Sequence, residues 1–469
     1  MDNIFKLSRP KSALPNSYFW TWDHSTNWVL DDPGNQANGC DNKYFKRPET
    51  YLEDYKRLTD FALGLGIKGI CIWGFLRDSH GGVEYAKKVA SYAVSKGVAI
   101  MPGFGTTWYG GAYYEGEHKY SLQTFLRKHP DAVMITKNGE KKEFDGSFGA
   151  CLAHPAYQDW LKEALDWLFR EFEIGGINLE NGDFLVDYHP LYKTLRKEWP
   201  ADDAEVFAHQ GISYKQALTA IQNRLAGKLC TYATYTGFNY SEELVQDTGM
   251  GKKAPAMFAQ LPAQSVCQWT LTGMVFEQPL PLTAYLDNGA PDVVFKNPHW
   301  LDGLRPPAEH SVGFIHQGSQ WHKNNRYQCV VSTIKEACLR AYRAGLEGIS
   351  IHGEVSARYI PYALNYLAFS HFTHWPEDSI RDFGRKTLGE IFGSEKEGET
   401  YAEILAHWHA GTITEEHKKY ANSAEGGVKR QSWKCKSLDE YQKFRFWEWL
   451  QIMIKYQANN ESLPYASPI

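Results

Sequence analysis

The sequence predicts an α/β protein built as a (β/α)8, or TIM, barrel with long rim insertions and a C-terminal helical extension. Three observations carry this. Eight short apolar runs read as strands, amphipathic helices separate most of them, and polar residues collect where the strands end. Glycines punctuate the joins.

In order, residues 1–17 are a polar, proline-containing lead-in, and Tyr18 to His24 form an aromatic first strand. A helix opening at Pro48 carries Tyr51, Tyr55, Leu58, Phe61 and Leu65 at helical spacing before strand two, Ile67 to Gly74. The helix Val83 to Ser95 ends at Gly97 ahead of strand three, Val98 to Gly103. A helix from Pro155 to Phe172 feeds strand four, the first half of the stretch Glu173 to Tyr188, which the turn Asn181-Gly182-Asp183 ends after Glu180. A helix from Tyr214 leads to strand five, Leu229 to Tyr235, and one around Ala254 to Leu261 leads to strand six, Ser265 to Leu271. Strand seven is Ser311 to Gln317; the helix Thr333 to Ala344 then precedes strand eight, Gly348 to Glu354. Helices over Tyr362 to Phe372 and Asp378 to Phe392 close the barrel domain, residues 1–393.

Two insertions break the rhythm, at about 104–154 and 272–307. The first holds a hairpin turning at Asn138-Gly139, a strong two-residue turn signal. Residues 394–469 read as a helical extension, its last helix opening with Ser437-Leu-Asp-Glu440 and striped by Tyr441, Phe444, Trp447, Leu450 and Ile454. A doubly wound sheet is the competing architecture. It lacks support, because no Gly-x-Gly-x-x-Gly follows strand one and no Walker motif occurs.

The 469 residues carry a net charge of −5, which offers no electrostatic case for nucleic acid or an anionic membrane. No run of 18 apolar residues is present. The eight cysteines are scattered without a Cys-x-x-Cys pair, so neither a zinc site nor a disulfide framework is expected. A cytoplasmic setting fits, and so does a periplasmic or secreted one if a leader has been removed. Homo-oligomerisation is left open. The 16 Trp, 28 Tyr and 24 Phe are the compositional departure, and rings in rim loops suit the flat apolar faces of sugars.

Barrel topology sends strand-end residues to one mouth. These are Asp23 and His24; Trp73, Arg77, Asp78 and His80; Trp108, Tyr109, Tyr113 and Glu115; Asn178, Glu180 and Asp183; Tyr235; Trp269; His316, Gln317 and Trp321; His352 and Glu354. Carboxylates and aromatics outnumber cations, so the expected partner is a carbohydrate, with no cofactor or metal. Cleaving a glycosidic bond takes one acid to protonate the leaving oxygen and a second carboxylate to activate water or attack. Glu180 is the expected acid, its pKa raised by burial and by the charge of Asp183. Asp183 and Glu354 are alternative partners, and retention versus inversion is open.

The run Ala150 to Trp160, the helix after it, and Gly175-Gly-Ile-Asn-Leu-Glu180-Asn-Gly-Asp183 resemble the passage into strand four of barrel glycoside hydrolases. Tyr362 to Glu377 resembles the last barrel helix and turn in relatives of glycoside hydrolase family 20 and of the α-glucuronidases. The resemblance implies a glycosidase with Glu180 as acid. Family 20 carries adjacent Asp and Glu on strand four; here Asn181-Gly182 separates the two carboxylates. A metal-dependent sugar isomerase or epimerase using Glu180, His316 and Glu354, and a non-catalytic carbohydrate-binding barrel, are the alternative readings.

Overall fold

The computed structural model describes residues 10–23, 46–144, 146–182, 185–234, 256–270, 310–316, 329, 331–352, 360–432 and 438–458. Eight parallel strands close into a ring: β1 (Tyr18–Trp22), β2 (Gly69–Trp73), β3 (Ala99–Gly105), β4 (Gly176–Glu180), β5 (Leu229–Thr234), β6 (Val266–Thr270), β7 (Ser311–His316) and β8 (Gly348–His352). Each pairs with its sequence neighbours, and β1 closes on β8 through Trp20 opposite His352. All eight expected strands are present, nearly all of their described bounds lying within two residues of the expected ones.

Alternation along each strand sorts side chains into two cores. Outward residues such as Phe19, Ile70, Ile72, Ile100, Ile177 and Leu179 meet the helices, while Tyr18, Trp20, Trp22, Cys71, Trp73, Met101, Val312 and Phe314 fill the ring. The helices α1 (Pro48–Gly64), α2 (Gly82–Ser95) and α4 (Pro155–Glu171) follow the expected boundaries closely, α1 and α4 each opening on a proline whose missing N–H is no loss there. α3 (Leu122–Lys128) lies inside the first insertion. α5 (Pro190–Arg196) was not anticipated, and α6 (Glu205–Ala220) begins nine residues before the expected start at Tyr214.

The Asn138-Gly139 turn forms as expected. The N–H of Thr136 donates to the carbonyl of Glu140 (2.8 Å) and that of Lys142 to Met134 (2.7 Å). A third leg then pairs Glu143–Phe144 with Ser147–Phe148, making a small meander. The second insertion, 272–307, lies outside the described residues.

The closing helix α7 (Ile360–His374) is buried along its whole length. Beyond it, α8 (Glu395–His409) receives α9 (Leu438–Ala458): the Trp447 indole donates to Glu397 (2.9 Å) and the Tyr401 hydroxyl to the Phe446 carbonyl (3.1 Å). Phe444, Trp447, Leu450 and Ile454 are buried as their spacing implies. Among the described residues no helix is long and apolar enough to cross a membrane. The six described cysteines are buried free thiols.

The ring is held inside by one amide. Asn178 Oδ1 accepts from the indoles of Trp20 (3.2 Å) and Trp73 (2.9 Å), and its Nδ2 donates to Thr231 Oγ1 (2.7 Å) and Gln268 Oε1 (2.9 Å). Gln268 accepts from the Tyr18 hydroxyl as well (2.7 Å). All four positions of the fully buried Asn178 amide are therefore used. Asn178→Ala is expected to strand these partners and destabilise the barrel by about 3 kcal/mol or more, given roughly 1–3 kcal/mol for each buried polar group left unpaired. Chemical denaturation with a shift under about 1 kcal/mol would show that the network is dispensable.

Candidate active site

Glu180 is the last residue of β4 and shares the inward parity of Asn178, one layer higher towards the mouth. Its neighbour across the sheet is Gly105. Its carbonyl accepts the backbone N–H (2.7 Å) and the hydroxyl (3.1 Å) of Thr106. Asn181 turns outward: Thr107 Oγ1 donates to its side-chain oxygen (2.7 Å), and its Nδ2 donates to the Nδ1 and carbonyl of His209, both at 3.2 Å. Glu180 is thus anchored through its own carbonyl and through the side chain of the next residue, and it is 8% exposed. The Cys71 thiol is pushed well up by burial and, secondarily, by the nearby Glu180 side chain.

The β1–β3 side of the mouth is an aromatic wall. Trp22 and Trp73 lie 5.6 Å apart between ring centres, and Tyr109 packs edge-on to both, at 6.3 and 5.7 Å. Tyr114 sits 5.7 Å from Trp22, and Trp108 is 6.2 Å from Tyr109. Trp22 and Trp73 are buried; Trp108, Tyr109 and Tyr114 keep some exposed surface.

Behind that wall the charges pair with one another. Arg77 Nε donates to Asp23 (3.1 Å), its Nη1 meets Glu115, and its guanidinium lies 4.2 Å from the centre of the Tyr114 ring. His80 stands 3.5 Å from Asp23 and against the Tyr51 ring. Burial pushes its pKa down to about 4, so it is neutral at physiological pH. Asp78 accepts the Tyr113 hydroxyl and the Glu117 N–H (3.0 Å), tying two rim loops together. Asp187, further along the β4 loop, accepts the N–H of Ile135 (3.1 Å), and Tyr188 returns a bond to the Ile135 carbonyl (2.9 Å). These two bonds clamp the meander beside β4.

The structure brings Glu180, Trp73 and Tyr109 to one side of the ring and puts Asp23, Arg77, Asp78, His80, Tyr113 and Glu115 into the scaffold around it. Four expected mouth residues need correcting. Trp269 points outward, because Gln268 is the inward residue of β6; the indole packs 6.3 Å from Phe258 in the helical layer. Asn178 lies beneath the mouth with its amide fully engaged, and Trp73 is wholly buried with its indole committed to that amide. His352 is inside the ring, edge-on to Trp20 at 4.5 Å and stacked with Phe314. The His316 backbone pairs with that of His352. His24, Asp183, Tyr235, Gln317, Trp321 and Glu354 lie outside the described residues.

Sequence reading missed Thr106, Thr107 and His209, which set the end of β4. Two adjacent threonines after a strand carry no signal by themselves, and His209 falls in the unanticipated half of α6. Among the described residues no three His, Cys, Asp or Glu side chains gather as a metal site.

No family model matches the chain, and no curated protein does. Solved structures similar to it include a family GH138 enzyme targeting pectin rhamnogalacturonan II (9% identity, 86% of this chain and 44% of that one, TM-score 0.44). Others are the maltogenic α-amylase AmyB from Thermotoga neapolitana (10%, 85% and 77%, 0.40) and the GH36 α-galactosidase AgaB from Geobacillus stearothermophilus (10%, 79% and 42%, 0.43). The chain spans less than half the length of the first and the last of these. At such identities the likeness is one of architecture, and the barrel rests on its own strand pairing.

Burial alone pushes the His209 pKa down to about 3. Its Nδ1 accepts from Asn181, so protonation breaks the contact that holds the residue after Glu180. The folded pKa lies below the unfolded value of about 6.5, so the unfolded chain binds the proton first. Its contribution is complete above about pH 6.5 and is lost as pH falls towards 3. Melting temperature is expected to fall over this window, and less steeply in His209→Asn, which retains an oxygen acceptor. His80 and His409, both with pKa values near 4, titrate there too and preserve part of the slope. Identical slopes in the two proteins would remove His209 from this role.

Proposed function

We propose that this chain is a glycoside hydrolase acting on an oligo- or polysaccharide, with Glu180 as the general acid. The observation that carries the reading is the placement of Glu180: an inward carboxylate ending a barrel strand, backbone-anchored by Thr106 and beside an aromatic wall. Catalytic groups of this fold are drawn from strand ends on that face. A glycosidic oxygen leaves as a poor leaving group unless protonated, and a carboxylic acid held at a fixed point supplies that proton.

The second carboxylate falls to Asp183 or Glu354. Asp183 follows the turn at Gly182 that terminates β4, and Glu354 follows β8 by two residues. Either would activate water or attack the anomeric carbon. The fixed charges nearby favour an uncharged substrate, since Arg77 is already matched by Asp23 and Glu115. The glycoside hydrolase names among the similar structures agree with this reading.

Screening against chromogenic glycosides and polysaccharides, wild type beside Glu180→Gln, tests it. The expected outcome is hydrolysis by the wild type and a loss of roughly 10²-fold or more in the variant, the scale of removing a general acid. A loss under about tenfold would retire Glu180 from the role. A wild type inert across a broad panel would retire the activity.

A further inference from the structure

We propose that the ring of Tyr109 is the platform on which the sugar next to Glu180 stacks, and that this subsite selects a neutral sugar over a uronate. The inference rests on the glycosidase reading for its reaction but not for its binding claim.

The first observation is backbone strain. Tyr109 has φ of +53°, the only non-glycine residue with positive φ among those described. An aromatic residue held there costs on the order of 1–3 kcal/mol, and such strain persists where the surroundings over-determine it. Here they do. Gly110 and Gly111 follow at φ +80° and +77°, Leu122 N–H donates to the Gly110 carbonyl (2.8 Å), and Gly111 bridges to Ser121. Three left-handed residues in a row turn the chain back into the ring. The Trp108 carbonyl then occupies the space a side chain on Gly105 would need. Gly105 is the cross-strand neighbour of Glu180, so the strained loop is folded in beside the acid.

The second observation is access. Trp22 and Trp73 are the stiff backing, buried and edge-on to Tyr109, whereas Tyr109 itself is only half-buried. A ring braced from behind loses little freedom when a pyranose lies against it. The third is charge. Among the described residues, the cation at this side of the mouth is Arg77, which is neutralised by Asp23 and Glu115 and covered by Tyr114. A substrate carboxylate placed here would meet the Glu180 side without a matching cation among the described residues.

Calorimetric titration of the Glu180→Gln protein reads binding without turnover. The probes are neutral hexasaccharides of glucose, mannose, xylose and galactose, and hexagalacturonate. At least one neutral probe is expected to bind. Adding Tyr109→Gly is expected to weaken it roughly tenfold or more, while Tyr109→Phe stays within about threefold. Melting temperature in Tyr109→Gly should hold or rise, because glycine relieves the strained φ. Undiminished binding in Tyr109→Gly, tighter binding of hexagalacturonate than of every neutral probe, or no binding by any probe overturns the proposal. So does a weakening that appears equally in Tyr109→Phe together with a lowered melting temperature, which marks a structural role. A wild type that hydrolyses nothing but binds through Tyr109 would defeat the glycosidase reading and leave the subsite standing.

Discussion

The arrangement of the mouth depends on what β3 lacks. Its two upper inward positions are Gly103 and Gly105. A side chain at Gly103 would collide with the Trp73 indole, and one at Gly105 would collide with the Trp108 backbone. With both absent, Trp73 leans from β2 across β3 and reaches the Asn178 amide on β4. The chain after β3 can then fold back beside Glu180. Close packing makes such gaps useful only when something fills them, and here an indole and a loop do.

Charge follows the same economy. The buried cation Arg77 is matched by Asp23 and Glu115, and the buried histidines His80 and His209 stay neutral through burial. Removing either partner of a buried pair is costly, whereas the intact pair adds little net stability. These groups therefore fix the positions of the β1 and β2 loops more than they strengthen the fold. What remains is a site with an anchored carboxylate and half-buried rings, suited to a substrate recognised by shape and hydrogen bonds.

Much of the architecture was legible in the sequence. Each strand is a short apolar run bounded by glycine or a polar turn, and the prolines at 48 and 155 mark helix starts. Depth was harder. Period two tells which residues share a face but not which face is inside, and in Val266-Cys-Gln-Trp-Thr270 both faces carry plausible interior residues. That ambiguity misplaced Trp269. Asn178 and Trp73 were assigned to the mouth because parity does not say how many layers lie above a residue. The place of Glu180 at a strand end was legible because Gly175-Gly176 and Asn181-Gly182 bracket its strand. The roles of Gly103 and Gly105 could not, since a glycine's use lies in what occupies the space beside it. The helices between 190 and 213 were missed where Pro, Asp and Trp interrupt the periodicity.

The dependence of the mouth on that empty space is tested most directly by Gly105→Ala. The added methyl leaves β3 a competent strand but requires the Trp108–Tyr109 turn to move away from Glu180. The account predicts a protein with wild-type circular dichroism that hydrolyses the best wild-type glycoside at least roughly tenfold more slowly. A folded variant with turnover within about twofold of wild type would contradict it.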